Sequence, residues 1–93
     1  MERQIWKFKV GVSERFTLEM PLDAKILSVQ LQNDEPCMWA LVDTEEETET
    51  RWFRIFGTGH YIPNDMGVNM KYLDTFQTKG GVYVWHLFED CGV

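Results

Sequence analysis

The feature that most constrains this chain is an alternation of apolar and polar side chains with a period of two, repeated along most of its length and interrupted by turn-forming residues. Ile5 to Val10 sets Trp6, Phe8 and Val10 against Lys7 and Lys9, and Arg15 to Met20 sets Phe16, Leu18 and Met20 against Thr17 and Glu19. That period belongs to a half-buried strand, because successive side chains along a strand point to opposite faces. The break at Gly11 to Glu14 makes the two segments read as an N-terminal hairpin. No stretch shows the 3.6-residue period of a helix. The expected fold is therefore all-β, a small sandwich or partly open barrel of about seven antiparallel strands in a single domain.

The remaining strands follow the same logic. Pro21 and Asp23 end the second strand, since proline cannot donate to a ladder and aspartate favours a turn. Lys25 to Gln32 places Leu27, Val29 and Leu31 opposite Ser28, Gln30 and Gln32. After the polar turn Asn33-Asp34-Glu35-Pro36, Cys37 to Val42 is almost continuously apolar, which predicts a central strand covered on both faces. Asp43 to Thr50 is an acidic hairpin tip, and Arg51 to Phe56 is the fifth strand, with Arg51, Phe53 and Ile55 on one face and Trp52, Arg54 and Phe56 on the other. Gly57 to Met70 is a long loop with room for one helical turn, of the length at which loops carry function. Tyr72 to Gln77 and Val82 to Phe88 close the chain as a hairpin around Thr78-Lys79-Gly80-Gly81.

Composition narrows the functional classes. With 93 residues the chain has a limited core, yet it carries four Trp, three Tyr and six Phe. Surplus aromatic surface on so small a domain predicts a ligand site or a homo-oligomeric interface. Fifteen acidic residues against nine basic ones give a formal charge of -6, which argues against direct nucleic-acid binding through the overall field. Cys37 and Cys91 have neither the number nor the spacing of a disulfide framework or a zinc site. The longest apolar run, Met38 to Val42, is too short to cross a membrane as a helix, and no signal peptide is evident. These features predict a soluble cytosolic protein with no metal and no cofactor.

The succession Ile5-Trp6-Lys7, Phe16-Thr17-Leu18-Glu19-Met20-Pro21 and Ala24-Lys25-Ile26-Leu27-Ser28-Val29-Gln30 resembles a family of small all-β domains found in tailed phages and prophages. The resemblance continues through Trp39-Ala40-Leu41-Val42-Asp43, Phe53-Arg54-Ile55-Phe56-Gly57-Thr58-Gly59-His60, Thr75-Phe76-Gln77 and Val84-Trp85-His86-Leu87-Phe88-Glu89. It covers almost the entire chain. It implies a phage accessory protein at work in the cytoplasm of the bacterial host cell, where small proteins commonly act by sequestering a signal or blocking a host protein. The family supplies no reaction.

One stretch combines residues that can hold a ligand. Gly57-Thr58-Gly59-His60 reads either as a backbone cradle for an anion, with Thr58 adding a hydroxyl, or as a tight turn that needs positive φ. It lacks the Walker lysine and the third glycine of a dinucleotide fingerprint. Directly before it, Trp52, Arg54 and Phe56 share one strand face. A guanidinium between rings can pair with phosphate while a base stacks beside it, or its stem can simply cover apolar surface. The candidate ligand-binding set is Trp52, Arg54, Gly57, Thr58, Gly59, His60 and Tyr61. His60 and His86 lack partners at metal-ligand spacing, Ser13 and Ser28 sit in ordinary contexts, and the carboxylates of Glu45-Glu46-Glu47 lie on an exposed tip where burial cannot raise a pKa. The expectation is a non-enzymatic binding protein that captures a nucleotide-like signal in counter-defence. The alternatives are an inhibitor of a host protein, acting through acidic or aromatic surface, and a virion accessory protein.

Overall fold

The computed structural model describes residues 1–63 and 69–92. It contains seven strands: β1 (Arg3–Lys9), β2 (Arg15–Pro21), β3 (Lys25–Gln32), β4 (Glu35–Asp43), β5 (Thr48–Gly57), β6 (Met70–Thr78) and β7 (Tyr83–Asp90). They form two antiparallel sheets, one of order β1-β4-β3 and one of order β2-β5-β7-β6, packed as an open sandwich. Among the described residues there is no α-helix; a single 3-10 turn at Lys79–Gly81 joins β6 to β7. The helical turn expected between Gly57 and Met70 is absent from the described part of that loop, and residues 64–68 lie outside the described residues.

The core lies between the sheets and is built from alternate residues of both. Met38, Ala40 and Val42 of β4 are buried against Phe53 and Ile55 of β5, Phe76 of β6 and Leu87 of β7, with Val10, Met20, Ala24 and Val29 filling the margins. Phe16 stacks on Phe53 at 5.1 Å and 11°, an offset arrangement that adds to the area the rings bury. β4 is central in its sheet, as its apolar run predicts. Among the described residues, however, only one of its faces meets another layer. On the other face Trp39 and Leu41 are half-buried and their neighbour Ile5 is exposed.

Two expected hairpins are instead arches between the sheets. β1 pairs with β4 and β2 with β5, so the turn after Val10 carries the chain from one layer to the other. The acidic stretch after Asp43 does the same between β4 and β5. The true hairpin β3–β4 turns on Asn33 and Asp34, both with positive φ (52° and 63°), the conformation of a tight hairpin turn, which asparagine and aspartate tolerate best after glycine.

A bulge between Ile26 and Ser28 shifts the phase of β3. Ile26 and Val29 therefore reach the core, while Leu27 and Leu31 are exposed. Where the edge strands β3 and β6 approach each other, Asp74 Oδ2 accepts a hydrogen bond from the Val29 amide at 3.2 Å. This ties the two sheets together along that side.

Candidate functional site

The fifth strand presents two faces, and both carry an arginine. Arg51 shares the inward parity of Phe53 and Ile55, and it reaches that environment with its charge matched. Its Nε and Nη2 donate to the two oxygens of Glu89 at 2.6 and 2.7 Å, and Nη1 donates to the Ala24 carbonyl at 2.5 Å. The paired hydrogen bonds to Glu89 raise the Arg51 pKa above its ordinary value, against the opposing effect of burial. The pair forms part of the lining of an open cavity of about 700 Å³ at this end of the sandwich, whose rim includes Lys25, Glu49, Lys71 and Trp52. A bidentate pair with a third acceptor leaves this guanidinium little capacity for a ligand.

Arg54 is differently placed. It sits on the outer face of the four-stranded sheet, where solvent is expected, yet its side chain is only 8 % exposed. Its guanidinium carbon lies 5.3 Å from the centroid of the Phe56 ring. Among the described residues its Nε is buried without a hydrogen-bond partner, and its nearest carboxylate, the largely exposed Glu14, is 4.0 Å away.

Across the ladder its direct partner is another arginine, Arg15. Because the Ile55 amide donates to the Glu14 carbonyl, residues 14 and 55 form a hydrogen-bonded pair. Arg15 and Arg54 therefore occupy the adjacent non-hydrogen-bonded pair, in which side chains approach most closely. Like charges at such positions repel unless an anion lies between them.

Aromatic and polar groups complete this face. Phe88, the partner of Arg54 on β7, meets Phe56 edge-on at 6.0 Å and Tyr72 at 5.6 Å. Trp52 is 43 % exposed. The His86 imidazole is held at both nitrogens, by Thr58 Oγ1 at 2.7 Å and Thr75 Oγ1 at 3.0 Å, and Thr75 Oγ1 in turn lies 2.6 Å from the Tyr72 hydroxyl. The result is an aromatic surface that carries two arginines, with Asp90 opposite Trp52 and a fixed hydrogen-bonding row along one side.

The loop expected to cradle an anion forms a tight turn. The His60 amide donates to the Gly57 carbonyl at 3.0 Å, and Gly59 has φ 83°. The Thr58 amide donates to the Val84 carbonyl, and the Gly57 amide to His60 Nδ1 at 3.3 Å. Three of the loop donors are thus already occupied within the chain. The His60 ring folds over Gly57, where a Cβ would lie 2.7 Å from it, and meets Trp85 at 6.2 Å. Tyr61 is exposed beside a cavity of about 390 Å³ that is also lined by Val12, Glu14 and Phe56.

Of the seven candidate residues, the structure brings Trp52, Arg54 and Thr58 to the outer face. His60 turns toward Trp85 at the end of the sandwich instead. Arg15, Tyr72, Thr75 and His86, which sequence reasoning did not include, belong to the outer face. Only Arg15 had a readable signal, as a cation at the start of a strand that could pair with the fifth.

Comparison with known proteins adds a family. A model described as a domain of unknown function (DUF7352) matches residues 1–92, and the chain belongs to that family. No curated protein and no solved structure matches it significantly.

Proposed function

We propose that this member of the DUF7352 family is a non-enzymatic binding protein that captures a planar anionic ligand, nucleotide-like in chemistry, on the outer face of its four-stranded sheet. The observation that carries this reading is the opposition of Arg15 and Arg54 in one cross-strand pair, with Arg54 buried and its Nε unpartnered among the described residues. A buried charge is costly unless paired, and a phosphate or carboxylate between the two guanidinia would supply the missing acceptors. Trp52, two residues along β5, and Tyr72, beyond Phe88 in the same cross-strand row, offer stacking surfaces for a base, as aromatic side chains do at sequence-tolerant nucleotide sites.

In this reading the anion contact belongs to the arginines, and the Gly57 to His60 turn positions Thr58 against His86. The sequence resemblance adds the setting: a phage accessory protein in the host cytoplasm, sequestering a signal in counter-defence. Calorimetry against nucleoside mono-, di- and cyclic phosphates is the test. Binding that weakens at least tenfold in Arg54→Ala and in Arg15→Ala supports the site, on the scale of about 1.5–3 kcal/mol for a charge-assisted hydrogen bond. Unchanged affinity in both variants removes it.

A second reading rests on the uncovered face of the three-stranded sheet, where Ile5 is exposed beside half-buried Trp39 and Leu41. Self-association through that face would produce the homo-oligomer that the aromatic content suggests. Sedimentation of the parent and of Ile5→Lys distinguishes a dimer from a monomer.

A further inference from the structure

The edge strand β1 concentrates positive charge in an otherwise acidic chain. Arg3–Lys9 holds three cations and no anion, whereas the whole chain has nine basic residues and a net charge of -6. β1 borders its sheet, with β4 on one side and, among the described residues, no strand on the other. The direction of its backbone groups follows from two hydrogen bonds. The Glu2 carbonyl accepts from the Thr44 amide, and the Val10 amide donates to the Pro36 carbonyl. Since the β1–β4 register runs without a shift, the even-numbered residues turn toward β4. The N–H and C=O groups of Arg3, Ile5, Lys7 and Lys9 therefore turn outward along the edge, a row with no proline and no bulge.

The side chains of those same four residues decide what such an edge accepts. A second copy of β1 is a poor partner. The antiparallel pairings that overlap most of the outward row set Arg3 against Lys7, Arg3 against Lys9, or Lys7 against Lys7, depending on register, and like charges directly opposite are destabilising. A strand with acidic residues at alternate positions reverses every one of those interactions. Existing counter-charges compete weakly. Lys9 has Glu35 at 3.8 Å with both side chains largely exposed, Lys7 Nζ donates to the Gln32 amide oxygen at 2.7 Å, and Arg3, whose Nε contacts the Met1 sulfur, faces Asp43 across the ladder, a carboxylate already engaged by the Glu2 and Glu45 amides.

We infer that β1 is a docking edge for an extended acidic segment of another protein, which adds as a fourth strand beside β1 with its carboxylates over Arg3, Lys7 and Lys9 and an apolar residue over Ile5. Backbone pairing provides the adhesion and the charges provide the selection, as in strand-addition recognition generally. This surface is separate from the Arg15–Arg54 face and does not depend on it.

The test uses the intact protein, isotopically labelled, and a capped synthetic peptide. The peptide places glutamate opposite Lys9, Lys7 and Arg3 and valine opposite Ile5, with threonine between; in a control peptide lysine replaces each glutamate. The acidic peptide should shift the Arg3, Ile5, Lys7 and Lys9 amides and slow their hydrogen exchange, leaving the Gln4, Trp6 and Phe8 amides protected as before. The double variant Lys7→Glu, Lys9→Glu should weaken binding about tenfold or more. Ile5→Pro, which removes an outward donor and leaves the β1–β4 hydrogen bonds in place, should weaken it as well. Absence of binding, equal binding of the lysine peptide, or binding that survives both variants overturns the inference. So does protection of the outward amides in the protein alone together with a dimer in sedimentation, because β1 is then paired with its own copy.

Discussion

Replacing Glu89 by leucine keeps its volume and removes one partner of the ion pair that ties β7 to β5 beneath the mouth of the sandwich. The side chains of Arg51 and Glu89 are 16 % and 10 % exposed, so each relies on the other for most of its charge solvation. Breaking such a pair on one side costs roughly 3–5 kcal/mol, and partial exposure together with the surviving bond to the Ala24 carbonyl places this case near about 3 kcal/mol. For a domain of this size that loss lowers Tm by roughly 12–24 °C, against a total stability on the order of 5–15 kcal/mol. Arg51→Met leaves a carboxylate buried instead and should cost a similar amount.

The double variant Arg51→Met, Glu89→Leu leaves neither charge behind and should fall within about 1 kcal/mol of the parent. Urea unfolding of the four proteins, with fixed m-values, measures the cycle. If the double variant loses as much as the two single variants added together, the residues act independently and the ion-pair account is wrong.

Three further outcomes follow from local geometry. Gly59→Ala forces a Cβ onto a residue at φ 83° with open space around it; strain alone should cost about 1–2 kcal/mol in chemical denaturation. Gly57→Ala should instead swing the His60 ring off Trp85, at a loss of about 1 kcal/mol, which the ring-current shift of the imidazole protons reports. Asp74→Ala should leave the Val29 amide without its partner and cost about 1–3 kcal/mol, with the largest gain in hydrogen exchange at Val29.

Asp43 contributes to the acid limb. The Glu45 amide, helped by the Glu2 amide, holds its carboxyl below the ordinary value of 3.8. A depressed folded pKa means that its contribution is complete above that ordinary value and is lost as pH falls through the lower folded one. The stability gap between the parent and Asp43→Ala should therefore be constant near neutrality and should narrow below about pH 4. A gap independent of pH refutes the assignment.

The alternation of Trp6, Phe8 and Val10, and of Phe16, Leu18 and Met20, specified which side of each strand is apolar, and that part of the fold was legible. It did not specify partners. A hairpin and an arch between layers demand the same inward residues, so Gly11 to Glu14 and Asp43 to Glu47 read identically in either case. The phase of β3 was hidden for a different reason: the bulge after Ile26 contains no glycine or proline to mark it.

Within the site, the parity of β5 correctly separated Arg51 from Trp52, Arg54 and Phe56. The pairing of Arg54 with Arg15 and of Thr58 with His86 depends on register between strands far apart in sequence, which local patterns do not encode. Glu89, the partner of the inward Arg51, was also within reach of sequence reasoning. It follows Leu87 with the same parity, but the seventh strand was expected to stop at Phe88.

The central claim is that Arg54 is a buried cation prepared for an anion, and its own Nε–H resonance is the most direct witness. In a nitrogen-resolved NMR titration with nucleoside phosphates, this resonance should move and exchange more slowly with water as its vacant hydrogen bond is filled, with Arg15 responding alongside it. An Arg54 Nε–H signal that stays unchanged at millimolar nucleotide and millimolar pyrophosphate contradicts the account.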